Sequence, residues 1–117
     1  MVIALVITAL LLAAMLAMSA SMKLRKNEQA VAVISGTVGV PLRFFPVLAA
    51  LELAGAAGIL IGLWLEPLGV AAAAGLVVYF VGAVVGHLRV GDIKGLTMPV
   101  PPLVLSIAVL ALRLATL

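Results

Sequence analysis

Glu52 stands inside a long apolar run, Leu51-Glu52-Leu53-Ala54, with no other charge near it in sequence. A carboxylate in hydrocarbon costs several kcal/mol unless it is paired, hydrated or protonated. Counting about 1.5 Å per helical residue from a boundary near Phe44 puts Glu52 about 12 Å deep, close to a bilayer midplane. Tyr79 and Ser106, on two other apolar stretches, fall at comparable depth. A protonated Glu52 could donate to Ser106 or accept from the Tyr79 hydroxyl. Such a layer suits three roles: a hydrogen bond that fixes helix register, a proton relay, or one wall of a site for a small amphiphile or quinone headgroup.

A second polar group closes another apolar stretch: His87, Arg89 and Asp92 in Gly86-His87-Leu88-Arg89-Val90-Gly91-Asp92. A histidine near a helix C-terminus can bond free carbonyls there. The alternative is a contact to a headgroup, assisted by Arg89. The chain holds one histidine and no cysteine, which removes disulfides, thiolate metal sites and multi-histidine metal sites. These few groups give little from which to assemble a catalytic centre, so the reading is of a protein that is not an enzyme on its own.

The elements that position these residues follow from composition. Of 117 residues, 67% are hydrophobic and 9% charged, against about 45–50% and about 25% in soluble domains. That is too little polar material for a water-facing surface, so the chain reads as an integral membrane protein. A crossing of a hydrocarbon core of about 30 Å takes roughly 20 apolar residues, and four stretches qualify: about 1–22, 44–64, 68–88 and 96–117. They predict an all-α, four-helix membrane bundle forming a single domain. Segments of this length without in–out alternation exclude a β-barrel. Small residues at Ala17-Met18-Ser19-Ala20 resemble a cleavage site, but the run is long and its charges follow it, so the first stretch is read as an uncleaved helix.

Lys and Arg gather in the connections about 23–43 and 89–95, and the turn around Glu66 holds none. The positive-inside rule makes the first and third connections cytoplasmic and both termini external in a multi-pass plasma-membrane protein. Arg113, on the less favoured side, is expected to snorkel to the interface. The basic residues are explained by this rule, and no nucleic-acid partner is expected. In the first connection Val31, Ile34 and Val38 recur at helical spacing after Asn27, which predicts a short interfacial helix. Pro99, Pro101 and Pro102 predict a fourth helix starting near Pro101 or Pro102, entered by extended chain. Gly58…Gly62 and Gly82…Gly86 are GxxxG pairs, and Gly75, Tyr79, Gly82 and Gly86 share a helix face. Such faces allow close helix packing, within the chain, in a homodimer or against other membrane proteins.

The order of these features resembles a known family. The stretch Leu51-Glu52-Leu53-Ala54-Gly55-Ala56-Ala57-Gly58, continuing through Leu60 and Gly62-Leu63 to Pro67, is similar to the second-helix signature of the DoxX-like membrane proteins. Gly86 to Asp92 is similar to that family's ending of the third helix, and the proline-led fourth helix also fits. The resemblance implies a compact bacterial four-helix membrane protein. Wider-family members are linked to quinone-coupled thiosulfate oxidation and membrane oxidoreductase complexes, and distant relatives act as assembly factors. By position Glu52, His87, Arg89 and Asp92 match the family's polar residues, with no catalytic role to carry over.

The function expected is therefore an accessory or subunit protein that binds a lipid-like or quinone-like molecule near Glu52, with membrane lipids around it. The alternatives are an assembly factor for membrane proteins and a proton-coupled small-molecule transporter. Small multidrug exporters carry their glutamate in the first helix, which here is uncharged.

Overall fold

A computed structural model describes residues 1–117 and contains only helices. Four long ones carry the architecture: α1 (Val2–Leu24), α3 (Phe45–Ile61), α4 (Glu66–Arg89) and α5 (Val100–Ala115). Helix α2 (Glu28–Ala30) runs on as a π-helical turn, Val31–Thr37, and 3-10 turns at Leu42–Phe44 and Lys94–Thr97 lead into α3 and α5. Around the bundle each long helix touches two others: α1 packs on α3 and α5, and α4 packs on the same two. Helices α1 and α4 are thus diagonal. The molecule is 41 Å long, close to the roughly 40–45 Å of a bilayer with its headgroups.

Helices α1, α3 (with its leading turn) and α4 are long and apolar enough to cross a membrane, whereas α5 has 16 residues. The core is narrow: Leu5, Leu12, Leu16, Ile59, Leu76, Phe80 and Val109 meet at its centre. Between them the buried positions are small, including Ala9 and Ala20 on α1, Ala49 and Ala56 on α3, and Ala73 on α4. Lipid tails are as apolar as leucine, so close backbone approach and dispersion hold such helices together. Large apolar side chains such as Ile3, Val78 and Trp64 point outward. A water-soluble protein could not leave so many exposed.

The glycines divide in a way that spacing did not foretell. Gly58 and Gly62 pack onto α4: a Cβ on Gly58 would stand 2.6 Å from that of Ala72, and one on Gly62 would collide with the Gly69 backbone. Around Gly75 and Gly82 there is open space, so the expected close-packing face of α4 is not one within the chain. The fourth helix also departs from expectation. It starts at Val100, and Pro99 already has helical angles (φ −85°, ψ −23°), so the approach is a turn and not extended chain. A proline needs no amide partner in a first helical turn, which is why all three are accommodated. The expected short helix is present: Asn27 Oδ1 accepts from the Gln29 and Ala30 amides and starts α2.

The contrast between the glycines is directly testable. Gly62→Ala forces two backbones apart, and overpacking of this kind costs about 1–3 kcal/mol, whereas Gly75→Ala meets nothing. Thermal melting in mild detergent should fall for Gly62→Ala and stay level or rise for Gly75→Ala, since alanine is the better helix former.

Candidate functional site

The buried carboxylate has a partner that the chain supplies from its first helix. Lys23, in the last turn of α1, sends Nζ to 2.6 Å from Glu52 Oε1, with the Glu52 side chain fully buried and that of Lys23 only 9% exposed. Glu52 lies about 10 Å along α3 from its start at Phe45, and the flexible stem of Lys23 covers the depth between the helix end and the carboxylate. The lysine Nζ also donates to Ser19 Oγ, one turn back, at 2.7 Å. The Lys23 ammonium thus stands between the Glu52 carboxylate and the Ser19 hydroxyl, at ion-pair distance from the first. The Tyr79 hydroxyl of α4 faces the same carboxylate. Lys23, expected only to mark the end of a span, is therefore part of the site, and its signal was the reach of a lysine one helix end away from an isolated glutamate.

Ser106 does not join this layer. It is fully buried, but its hydroxyl turns back along α5 and donates to the Pro102 carbonyl at 2.6 Å. A serine within a helix can spend its hydroxyl proton on the carbonyl four residues back, and Ser106 does so here. Arg113 does not snorkel outward either. It is 6% exposed and bonds Gly62 O at 3.2 Å, Leu63 O at 3.5 Å and Thr116 Oγ1 at 3.0 Å. The last carbonyls of α3 lack intrahelical partners, and a guanidinium with five donors satisfies them while tying α5 to the α3–α4 turn.

A groove of about 920 Å³ opens beside the ion pair. It runs between the diagonal helices α1 and α4, roofed by the α2 and π-helical segment through Ile34 and Val38, with Met98 and Pro99 also on its lining. Lys23 and Tyr79 are on its wall, and Glu52 stands behind them. Four of the five methionines line it: Met15, Met18, Met22 and Met98. Gly82 and Gly86 lie on its α4 side, so the open glycine face of α4 borders empty space in place of a neighbouring helix.

His87 and Arg89, at the end of α4, also line this groove. Helix α4 ends in a Schellman turn: Gly91 adopts φ +72°, and the Asp92 amide donates back to His87 O at 2.9 Å. That turn folds Asp92 over the helix end. Its Oδ2 lies 2.8 Å from His87 Nδ1, and its Oδ1 accepts from the Gly95 amide at 3.1 Å. His87 thus bonds a side chain and not the free carbonyls expected of it. The hydrogen bond with His87, with help from the Gly95 amide, holds the Asp92 carboxyl below the usual carboxylate range. Arg89 is exposed at the helix end, without an ion-pair partner.

Two outcomes follow from these geometries. Lys23→Met leaves Glu52 buried without its cation, a loss worth about 3–5 kcal/mol when one partner of a buried pair is removed. The double variant Lys23→Met/Glu52→Gln should recover much of the melting temperature, and a double-mutant cycle measures the coupling. For Asp92, a lowered folded pKa means that its contribution is complete above the ordinary Asp value of about 3.9 and is lost as pH falls through the lower folded value. The Gly95 amide signal in NMR should therefore hold its bonded position down to about that ordinary value and move only below it.

Comparison with known proteins places the chain in a family. The sequence model of the DoxX-like family matches residues 7–109. Comparisons with curated proteins and with solved structures give no match. The family match takes in most of the chain and runs from the first helix into the fourth long one, so the protein belongs to the DoxX-like family.

Proposed function

We propose that this DoxX-like membrane protein is an accessory or subunit protein that holds a lipid-like or quinone-like molecule in the groove between α1 and α4, within a membrane oxidoreductase complex. The observation that carries this reading is a laterally open, largely apolar groove of about 920 Å³ that ends at a buried Lys23–Glu52 pair. Ligand pockets combine such apolar walls with a few fixed polar groups. Lys23 and the Tyr79 hydroxyl supply donors at the inner end, and the Glu52 charge makes that end close to neutral overall. A neutral or weakly polar headgroup suits it better than a strongly charged one. Adaptable methionine walls suit an occupant of irregular shape.

The basic connections face the cytoplasm of a bacterial plasma membrane under the positive-inside rule, with both termini outside and α5 completing a fourth crossing. The groove then opens in the cytoplasmic leaflet, and surrounding lipids can enter it sideways. A second reading, an assembly factor for other membrane proteins, is favoured by one feature: a shallower groove between α3 and α4 where Leu51, Ala54, Gly55 and Gly75 leave room for another helix. A proton-coupled transporter is less favoured, because Glu52 is closed off and already paired with a lysine.

Native mass spectrometry of protein purified in mild detergent tests the groove reading. A Cβ at Gly82 meets nothing within 4 Å and Gly82 lies on the groove wall, so Gly82→Phe adds bulk there from an open position. The wild type should carry a specific small amphiphile, Gly82→Phe should lose it at unchanged melting temperature, and Glu52→Gln should retain less of it. A wild type that carries no specific species, or a Gly82→Phe variant that keeps it, overturns the reading.

A further inference from the structure

Apart from Lys23 and Tyr79, the groove has a second polar station at His87. Its Nδ1 is taken up by Asp92, and Asp92 is itself fixed by the Gly95 amide. An ionised carboxylate can only accept hydrogen bonds, so the proton between the two belongs to Nδ1 of the ring. In the neutral imidazole this leaves Nε2 as a bare acceptor. Nε2 makes no hydrogen bond in the protein and is not among the buried orphan atoms, which are Glu52 Oε1 and Oε2 and Arg113 Nε. His87 lies on the groove wall and is only 5% exposed. The accessible edge of its ring is therefore an acceptor presented to whatever enters.

The surroundings narrow what that occupant is. Apart from His87 itself, Lys23, which is paired with Glu52, and Arg89, Ser19, Gln29 and Tyr79, the lining of the groove is apolar or glycine. Phe44, Phe80 and the four methionines are among the residues that line it. Thioether sulfur and aromatic edges interact favourably with an aromatic ring, by about 0.3–1.5 kcal/mol per sulfur contact. An acceptor that requires a donor, set among groups that favour an aromatic ring, selects an aromatic hydroxyl.

We propose that His87 Nε2, oriented by Asp92, accepts a hydrogen bond from the phenolic hydroxyl of an aromatic headgroup whose alkyl tail lies along the groove. His87 is then a binding residue and Asp92 a positioning residue. Gly95 is part of the device: a Cβ there would collide with Asp92 Oδ2 and stand 2.6 Å from His87 Nδ1. The inference rests on the groove reading for its occupant, but the tautomer that it requires does not depend on any ligand.

The chain contains a single histidine, so protein labelled with ¹⁵N-histidine in detergent gives one imidazole to read. Without ligand, at a pH where the ring is neutral, Nδ1 should carry the proton and Nε2 should not; the opposite tautomer overturns the proposal whatever binds. The probes are 4-decylphenol and 4-decylanisole, equal in ring and tail and different in the hydroxyl proton. The phenol should shift the Nε2 signal and bind about threefold to tenfold more tightly than the anisole, the range of one neutral hydrogen bond. In Gly95→Ala, which displaces Asp92 and leaves both side chains chemically intact, the tautomer bias and the preference for the phenol should fall together. In His87→Phe the two probes should bind equally. Equal binding of both probes by the wild type, or phenol binding with no response at Nε2, overturns the role of His87 while leaving an amphiphile in the groove. If neither probe binds, the proposed occupant is wrong, and if Gly82→Phe also changes nothing in native mass spectra, the groove reading fails with it.

Discussion

A carboxylate buried in an apolar helix bundle must be neutralised where it stands, and in this protein the ion pair of Lys23 with Glu52 does so. The pair fixes more than its own charge. Because Lys23 belongs to the last turn of α1 and Glu52 lies well inside α3, the lysine must reach inward along the bundle. That contact sets the register of α1 on α3, a pairing otherwise made by small residues and a few leucines with little directional preference. Apolar packing between membrane helices tolerates sliding, whereas a buried charge tolerates very little.

The register has a consequence for the opposite diagonal. With α1 held on α3, and α4 held on α3 through Gly58, Gly62 and Gly69, helices α1 and α4 remain apart at the basic end of the bundle. The chain must still travel from α1 to α3, and it does so across this opening as the α2 and π-helical segment. The groove is thus the space left at that end between two helices that pack mainly on shared neighbours, roofed by a connection. Its two polar stations, Tyr79 and His87, are eight residues apart on α4, or roughly 12 Å along the axis. An amphiphile lying along α4 can meet both.

Sequence reading recovered the helices because the signals for them are composition and length, which a bilayer constrains tightly. It singled out Glu52 and Tyr79 because an isolated carboxylate in hydrocarbon needs an explanation and helical rise places residues by depth. It missed Lys23 because a lysine at a span end has a sufficient reason to be there already. The layer of three polar residues was only partly legible for a similar reason. Depth can be counted from sequence, but Ser106 could spend its proton on the carbonyl four residues back in its own helix, and depth does not reveal that choice. Arg113 shows the same limit, since distance from the terminus suggested the interface while the unsatisfied carbonyls of α3 lay nearer.

Spacing alone cannot tell a glycine that lets two backbones touch from one that leaves a hollow, because both follow the same periodicity. In this chain the two kinds separate by helix face. Gly58 and Gly62 close α3 onto α4, while Gly82 faces the groove and Gly86 meets only Val38 of its roof, whose Cγ1 would stand 3.2 Å from a Cβ at that position. Any larger side chain at Gly82 would project into the groove and take up space beside Tyr79 and His87. The run from Tyr79 to Asp92 can therefore be understood as one device, in which glycine makes the room, tyrosine and histidine line it, and the Gly91 turn returns Asp92 to hold the histidine in place. Removing the glycines' emptiness would leave those polar groups facing packed side chains, where an unpartnered Nε2 would carry a desolvation cost with nothing to offset it.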